Sequence, residues 1–290
     1  MEKTLTRVLV VLFTVFTLMC GLVGCGSSAP APAPAPNPQE TTPAGPQAPA
    51  VQLQIFAANS LERALPEVQA LYTAAHPNVT FADTQFKASG DLVSQIEAGA
   101  LPDILMTASS GSMDNAANYI DASTRINMFG NDLVIARGVG STIQINSLED
   151  INNPAITSIA IGDADAVPAG QYANQVLNSI GLYSDASGKG GTYDPSFEPK
   201  VALASSVGNA AKYIESGDCQ IGFVYSSDIF RFSGIEVAFV TPADSHKPIV
   251  YPGAVLASSE NAEVAADFLN FCLTDPEAQK VWSRYGFEVK

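Results

Sequence analysis

Histidine occurs only twice in the 290 residues, as His76 in a His-Pro-Asn turn and His246 in a polar Asp-Ser-His-Lys stretch. That excludes a His-Glu-x-x-His metal helix. There is no Cys-x-x-Cys pair and no Gly-x-Ser-x-Gly sequence, the turn that presents a hydrolase serine. Gly188-Lys189 has Tyr183 at the place where a phosphate loop carries its first glycine. These gaps disfavour a hydrolase or a cofactor enzyme. The chain is expected to be no enzyme, to need no cofactor and to hold no metal cation by direct side-chain coordination.

Positive charge is also sparse, with 14 Lys and Arg against 29 Asp and Glu. Phosphate backbones are gripped by clustered Lys and Arg, so nucleic acid is not an expected partner. Long apolar runs are confined to the N-terminus. Val8 to Val23 is apolar apart from Thr14, Thr17 and Gly21, and Lys3 and Arg7 precede it. A membrane span needs roughly 20 apolar residues; this shorter run fits the core of a signal peptide. Leu22-Val23-Gly24-Cys25 follows. Small residues before a cysteine resemble a bacterial lipobox, which implies cleavage before Cys25 and lipidation of its thiol. Losing Glu2, Lys3 and Arg7 leaves 28 acidic and 12 basic residues, a net charge of −16.

Residues 1–24 are therefore read as a lipoprotein signal peptide. Residues 25–50 follow as the anchor cysteine and a Pro/Ala-rich tether. The alternating Pro and Ala after Ser28 cannot bury a core and favour extended polyproline II, at ~3 Å per residue. Only Cys219 and Cys272 remain beyond the lipid site. An exported compartment permits a disulfide, but one precedes an expected strand and the other sits on an expected helix. Two separate buried thiols and a bridge both stay open.

From Val51 the chain alternates strand-like and helix-like segments. Leu61, Leu65, Val68 and Tyr72 recur at helical spacing after the β-rich run Val51 to Ala57. Val79 to Phe86, Pro102 to Thr107, Asp132 to Ala136, Ile159 to Gly162 and Ile221 to Tyr225 read as strands. Helices are expected over 91–98, 171–180, 209–215, 262–272 and 276–285. The Gly-rich stretch 184–200 reads as a surface loop. Such alternation implies an α/β fold with largely parallel sheets.

Two strand-to-helix junctions share one form: Phe56-Ala57-Ala58-Asn59-Ser60-Leu61, and Phe86-Lys87-Ala88-Ser89-Gly90-Asp91. Each places a serine at the expected N-cap. Helix starts carry unpaired N–H groups and bind anions without any lysine. In parallel sheets such junctions collect at one edge, the carboxyl ends of the strands. Val167-Pro168-Ala169-Gly170 and the strand ending in Tyr225 belong to the same edge. Lys87 is the one cation beside a proposed contact, and a solvated side chain is its expected state.

The segments AANSLERALPEV, KASGDLVSQIEAG, PDILMTA, VPAGQYA, IGFVYSSD and the terminal RYGF together resemble the molybdate-binding proteins of ABC importers. Their order and approximate spacing match over essentially all of residues 51–290. The resemblance implies a two-lobed periplasmic-binding fold of the second type, each lobe a mostly parallel sheet flanked by helices. Lobe 1 would comprise 51–131 and 245–290, and lobe 2 would comprise 132–244. It further implies an oxyanion held by the side chains of Ser60, Ser89 and Tyr225 and by backbone N–H at Ala169 and at Val207, 18 residues before the tyrosine.

The expected role is capture of molybdate or tungstate by an exported, lipid-anchored receptor on the outer face of the cytoplasmic membrane. It would be a monomer that delivers its ligand to an ABC permease. The competing readings are another tetrahedral oxyanion such as sulfate, and a non-transport adhesion or signalling module on the same fold.

Overall fold

The computed structural model describes residues 49–290. The signal segment, Cys25 and all of the Pro/Ala tether up to residue 48 lie outside the described residues.

The first stretch of chain builds most of one lobe. Strands β1 (Val51–Leu53) and β2 (Ile55–Ala58) lead through a 3₁₀ turn (Asn59–Leu61) into α1 (Ala64–Ala75). Strands β3 (Val79–Phe81) and β4 (Gln85–Lys87), helix α2 (Ser89–Glu97), β5 (Ile104–Met106), α3 (Ser110–Asn115) and β6 (Ile126–Asn131) follow. Helix α1 buries Leu65, Val68 and Tyr72, the stripe that its apolar spacing predicts.

The chain then crosses directly from Asn131 into β7 (Leu133–Gly138) and a second sheet. Strand β8 (Ile159–Gly162), α4 (Pro168–Ser179), β9 (Val201–Ala204), α5 (Val207–Glu215), β10 (Ile221–Tyr225) and β11 (Ile235–Val240) complete it. The return to the first lobe comes at β12 (Ile249–Val255), followed by α6 (Ala262–Thr274), α7 (Pro276–Arg284) and β13 (Glu288–Val289). Sharp starts mark the later helices. The Ser206 side chain accepts the Asn209 N–H ahead of α5, and Asp275 accepts the N–H groups of Glu277 and Ala278 ahead of α7.

The first lobe's main sheet has the order β13-β6-β12-β5-β2-β4, and the second has β11-β7-β10-β8-β9. In each, the strands joined through helices pair in parallel: β2 with β4 and β5, and β8 with β9 and β10. Antiparallel strands widen that parallel part, with β12 between β5 and β6, and β7 between β10 and β11. Both chain crossings between the sheets run through these antiparallel strands.

The apolar interior is continuous beneath both sheets. Trp282 of α7 packs its ring 4.2 Å from that of Phe129 on β6, and Tyr72 of α1 meets Phe268 of α6 at 5.1 Å. Cys219 and Cys272 are both buried free thiols. The stretch 184–200 is largely irregular, with one bridge between Tyr183 and Tyr193 and a closing turn at Glu198–Lys200.

Candidate functional site

The parallel strands end at the edge facing the other lobe. Segments from six of those strand ends meet around one cavity. It is lined by Ala58, Asn59, Ser60, Lys87, Ala88, Ser89, Ala108, Val167, Pro168, Ala169, Val207 and Tyr225, and encloses about 220 Å³ of empty space including its mouth. Ser60, Ser89, Ala169, Val207 and Tyr225, far apart in the chain, thus share one wall. No carboxylate or histidine is among the lining residues. Lys87 reaches the rim and is exposed.

Neither serine caps its helix. Ala58 and Ala88 occupy the capping positions, without side-chain bonds, and each serine stands inside the turn that follows. The expectation of serine N-caps fails because both turns begin one or more residues earlier than the apolar spacing suggests. That shift frees the hydroxyls for other partners. Ser60 Oγ lies 2.9 Å from the Tyr251 hydroxyl. Ser89 Oγ accepts the Ala108 N–H at 3.0 Å. Both serines are 1% exposed.

Two helices contribute backbone. In α4, Pro168 occupies the first turn and has no N–H, while the N–H groups of Gly170 and Gln171 go to Val167 O. The Ala169 N–H is left without an intrahelical acceptor, as first-turn donors are. In α5, the Gly208 N–H goes to Asn59 Oδ1, and those of Asn209 and Ala210 go to Ser206. There the Val207 N–H is the donor left over.

Tyr225 ends β10 and is 1% exposed. Its ring packs 5.7 Å from that of Tyr251, yet its hydroxyl has no hydrogen-bond partner among the described residues. Buried polar atoms are almost always paired. Burial holds the phenol's pKa well above its ordinary value, so at neutral pH it keeps its proton and is a hydrogen-bond donor.

The lobes touch directly around the cavity. The Gly90 N–H donates to Ala166 O at 3.0 Å. The Gly208 N–H donates to Asn59 Oδ1 at 3.1 Å, and a Cβ at Gly208 would collide with that oxygen. Arg231, which follows the 3₁₀ turn Ser226–Phe230, bonds Asn59 and Glu62 across the cleft. Asn59, Asn131, Arg231 and Tyr251 all support the wall, and sequence reasoning did not select them. Together the wall offers three hydroxyls and two N–H groups, all able to donate, and the one cation among the lining residues is the exposed Lys87. That arrangement suits a small anion rich in acceptor oxygens.

Residues 53–288 match the model of the bacterial extracellular solute-binding protein family. The molybdate-binding protein ModA of Escherichia coli K12 is 32% identical over 245 residues, 82% of this chain and 90% of its own. The ModA of Haemophilus influenzae is 32% identical over 250 residues, 84% and 92% of the two chains. Among solved structures, the substrate-binding domain of a putative molybdenum ABC transporter from Clostridium difficile superposes with a TM-score of 0.62 at 30% identity. That match covers 82% of this chain and 99% of the other. The alignments span both lobes and therefore every wall of the cavity, and on them the chain belongs to the bacterial extracellular solute-binding proteins, in the group of the molybdate-binding protein ModA.

Proposed function

We propose that this protein captures molybdate, and tungstate with it, outside the cytoplasmic membrane and hands it to an ABC permease. The observation that carries the reading is the unpartnered Tyr225 hydroxyl, buried in a wall shared with Ser60, Ser89, Ala169 and Val207. A tetrahedral dianion supplies acceptor oxygens to all of them at once. Hydrogen bonds to charged groups contribute about 1.5–3 kcal/mol each, so five donors give roughly 8–15 kcal/mol before binding costs. A nanomolar dissociation constant needs about −12 kcal/mol. Uncharged donors suffice, and they allow release when the lobes part.

The test is a thermal-shift series on ligand-free protein with molybdate, tungstate, sulfate, phosphate and thiosulfate. Molybdate and tungstate should raise the melting temperature at micromolar ligand, and sulfate should do so far less. Ligand at 100-fold excess over its dissociation constant stabilises by about 2.7 kcal/mol. No shift with either metalate rejects the reading, and an equal response to sulfate reassigns the ligand. Anchoring through Cys25 rests on the lipobox-like sequence. Cys25→Ser should abolish lipid labelling and membrane retention, and an unchanged fractionation removes that part of the proposal.

A further inference from the structure

Tyr251 stands behind the cavity and is not among its lining residues. Its hydroxyl is 2.9 Å from Ser60 Oγ and 3.3 Å from Asn131 Nδ2. The direction of the Asn131 bonds follows from counting hydrogens. Asn131 Oδ1 accepts the Asp132 backbone N–H at 3.0 Å, and an N–H can only donate. The Ser226 hydroxyl donates to the same oxygen at 2.7 Å. That fixes the amide: Nδ2 faces the other way, donating to Ser227 Oγ at 2.9 Å and to Tyr251. Tyr251 accepts from Asn131; between Tyr251 and Ser60 either hydroxyl can donate, and the geometry allows the Tyr251 proton to go to Ser60 Oγ. In that arrangement Ser60 accepts, and its own proton is left for the cavity.

We infer that Tyr251, oriented by Asn131, is a positioning residue that fixes Ser60 as a hydrogen-bond donor to the bound oxyanion. The inference rests on the functional reading above and goes beyond it, because it assigns a role to residues that never touch the ligand. Ser89 is set in the same sense by a different partner, since the Ala108 N–H occupies its oxygen. A serine hydroxyl left to itself turns either face to a neighbour. With Tyr251 donating to Ser60, each serine oxygen accepts a bond from behind, which leaves its proton to meet an anion. The relay begins at the crossing between the lobes, where Asn131 ends β6. Its amide bonds Ser226 and Ser227 of the second lobe and Tyr251 of the first. Hinge geometry and the polarity of Ser60 are thereby tied together.

The test is a double-mutant cycle of Ser60→Ala and Tyr251→Phe, titrated calorimetrically with molybdate, alongside ligand-free melting temperatures. Tyr251→Phe should weaken binding about fivefold to tenfold when Ser60 is present. In the Ser60→Ala background the same change should alter affinity by less than about twofold, because the route through Ser60 is gone. A merely structural role for Tyr251 would weaken binding equally in both backgrounds. Equal losses, or no loss in the parent background, overturn the inference while leaving the functional reading intact. A parent protein that binds none of molybdate, tungstate and sulfate overturns that reading and the relay with it.

Discussion

Arg231 reaches across the cleft and sets its guanidinium 2.7 Å from the Glu62 carboxylate. The same group pairs with Asp228 at 2.5 Å within its own lobe, and those two side chains are 3% and 0% exposed. Burial pushes the Asp228 carboxyl up, and Arg231 with the Tyr225 N–H pulls it back. The two ion pairs therefore differ in kind. Glu62 is half exposed, so its pair is worth no more than about 1 kcal/mol. Asp228 has nowhere to find water.

From this, Glu62→Gln should leave the melting temperature near that of the parent and speed ligand release about twofold to fivefold, by loosening one interlobe bond. Arg231→Met should cost about 3–5 kcal/mol of folding stability, because it strands a buried carboxylate. Denaturant unfolding and stopped-flow release measure the two effects. An Arg231→Met protein as stable as the parent refutes this account of the cluster.

The three hydroxyls should respond to deletion in opposite senses. Ser60→Ala and Ser89→Ala each remove a donor to a buried charge, costing about 1.5–3 kcal/mol of binding, roughly 10- to 150-fold in affinity. Each also takes a partner from a buried group, the Tyr251 hydroxyl, which keeps Asn131, or the Ala108 N–H. Ligand-free stability should therefore fall by about 1–2 kcal/mol. Tyr225→Phe should also weaken binding, but without ligand it removes an unpaired buried hydroxyl. Its ligand-free melting temperature should match or exceed the parent's. Calorimetry beside melting curves separates these cases. A Tyr225→Phe protein that is destabilised yet binds normally would mean that the hydroxyl has a structural partner instead.

Binding should be insensitive to pH between about 6 and 9. No carboxylate or histidine lines the cavity, and burial raises the pKa of Tyr225 and Tyr251 above the ordinary phenol value, with Tyr172 nearby pushed up to about 12. The phenols keep their protons across that range. For stability the sign is that of a group raised on folding. The contribution is present below the unfolded value near 10 and is lost as pH climbs through it toward the folded value. Affinity measured in steps of one pH unit, with melting curves up to pH 11, tests both halves. An affinity that drops with a midpoint between 7 and 9 contradicts the first half.

The parts of the molecule that were legible in the sequence are those written locally. Pro168 and Gly170 bracket Ala169 at a helix start, and the apolar run Ile221 to Tyr225 delivers a tyrosine to a strand end. Such signals need only a few neighbouring residues. What escaped depends on distant pairing. Ser60 and Tyr251 are 191 positions apart, and Asn131 and Tyr251 are 120 apart. No periodicity in the Tyr251-Pro252-Gly253 segment marks that hydroxyl as part of a polar chain. Strands β6, β9, β11, β12 and β13 are not among the expected ones; no helix separates β6 from β7 or β11 from β12 to announce them. The serines' capping role was misjudged because Asn59 and Ser89 already belong to their turns. Arg231 gave no signal as an interlobe residue, since its partner Glu62 lies 169 positions away.

The solitary hydroxyl of Tyr225 also bears on how occupancy is reported. A buried donor without a partner costs about 1–3 kcal/mol, which would favour, by on the order of 5- to 150-fold, a vacant conformation in which parted lobes expose it. The ligand removes that penalty. Under the proposed transport role, vacant and loaded copies then present different outlines to the permease, and vacant ones are poor competitors for it. Relieving the penalty should blur the distinction. Transport assays given an excess of vacant Tyr225→Phe receptor should run slower than those given the same excess of vacant parent.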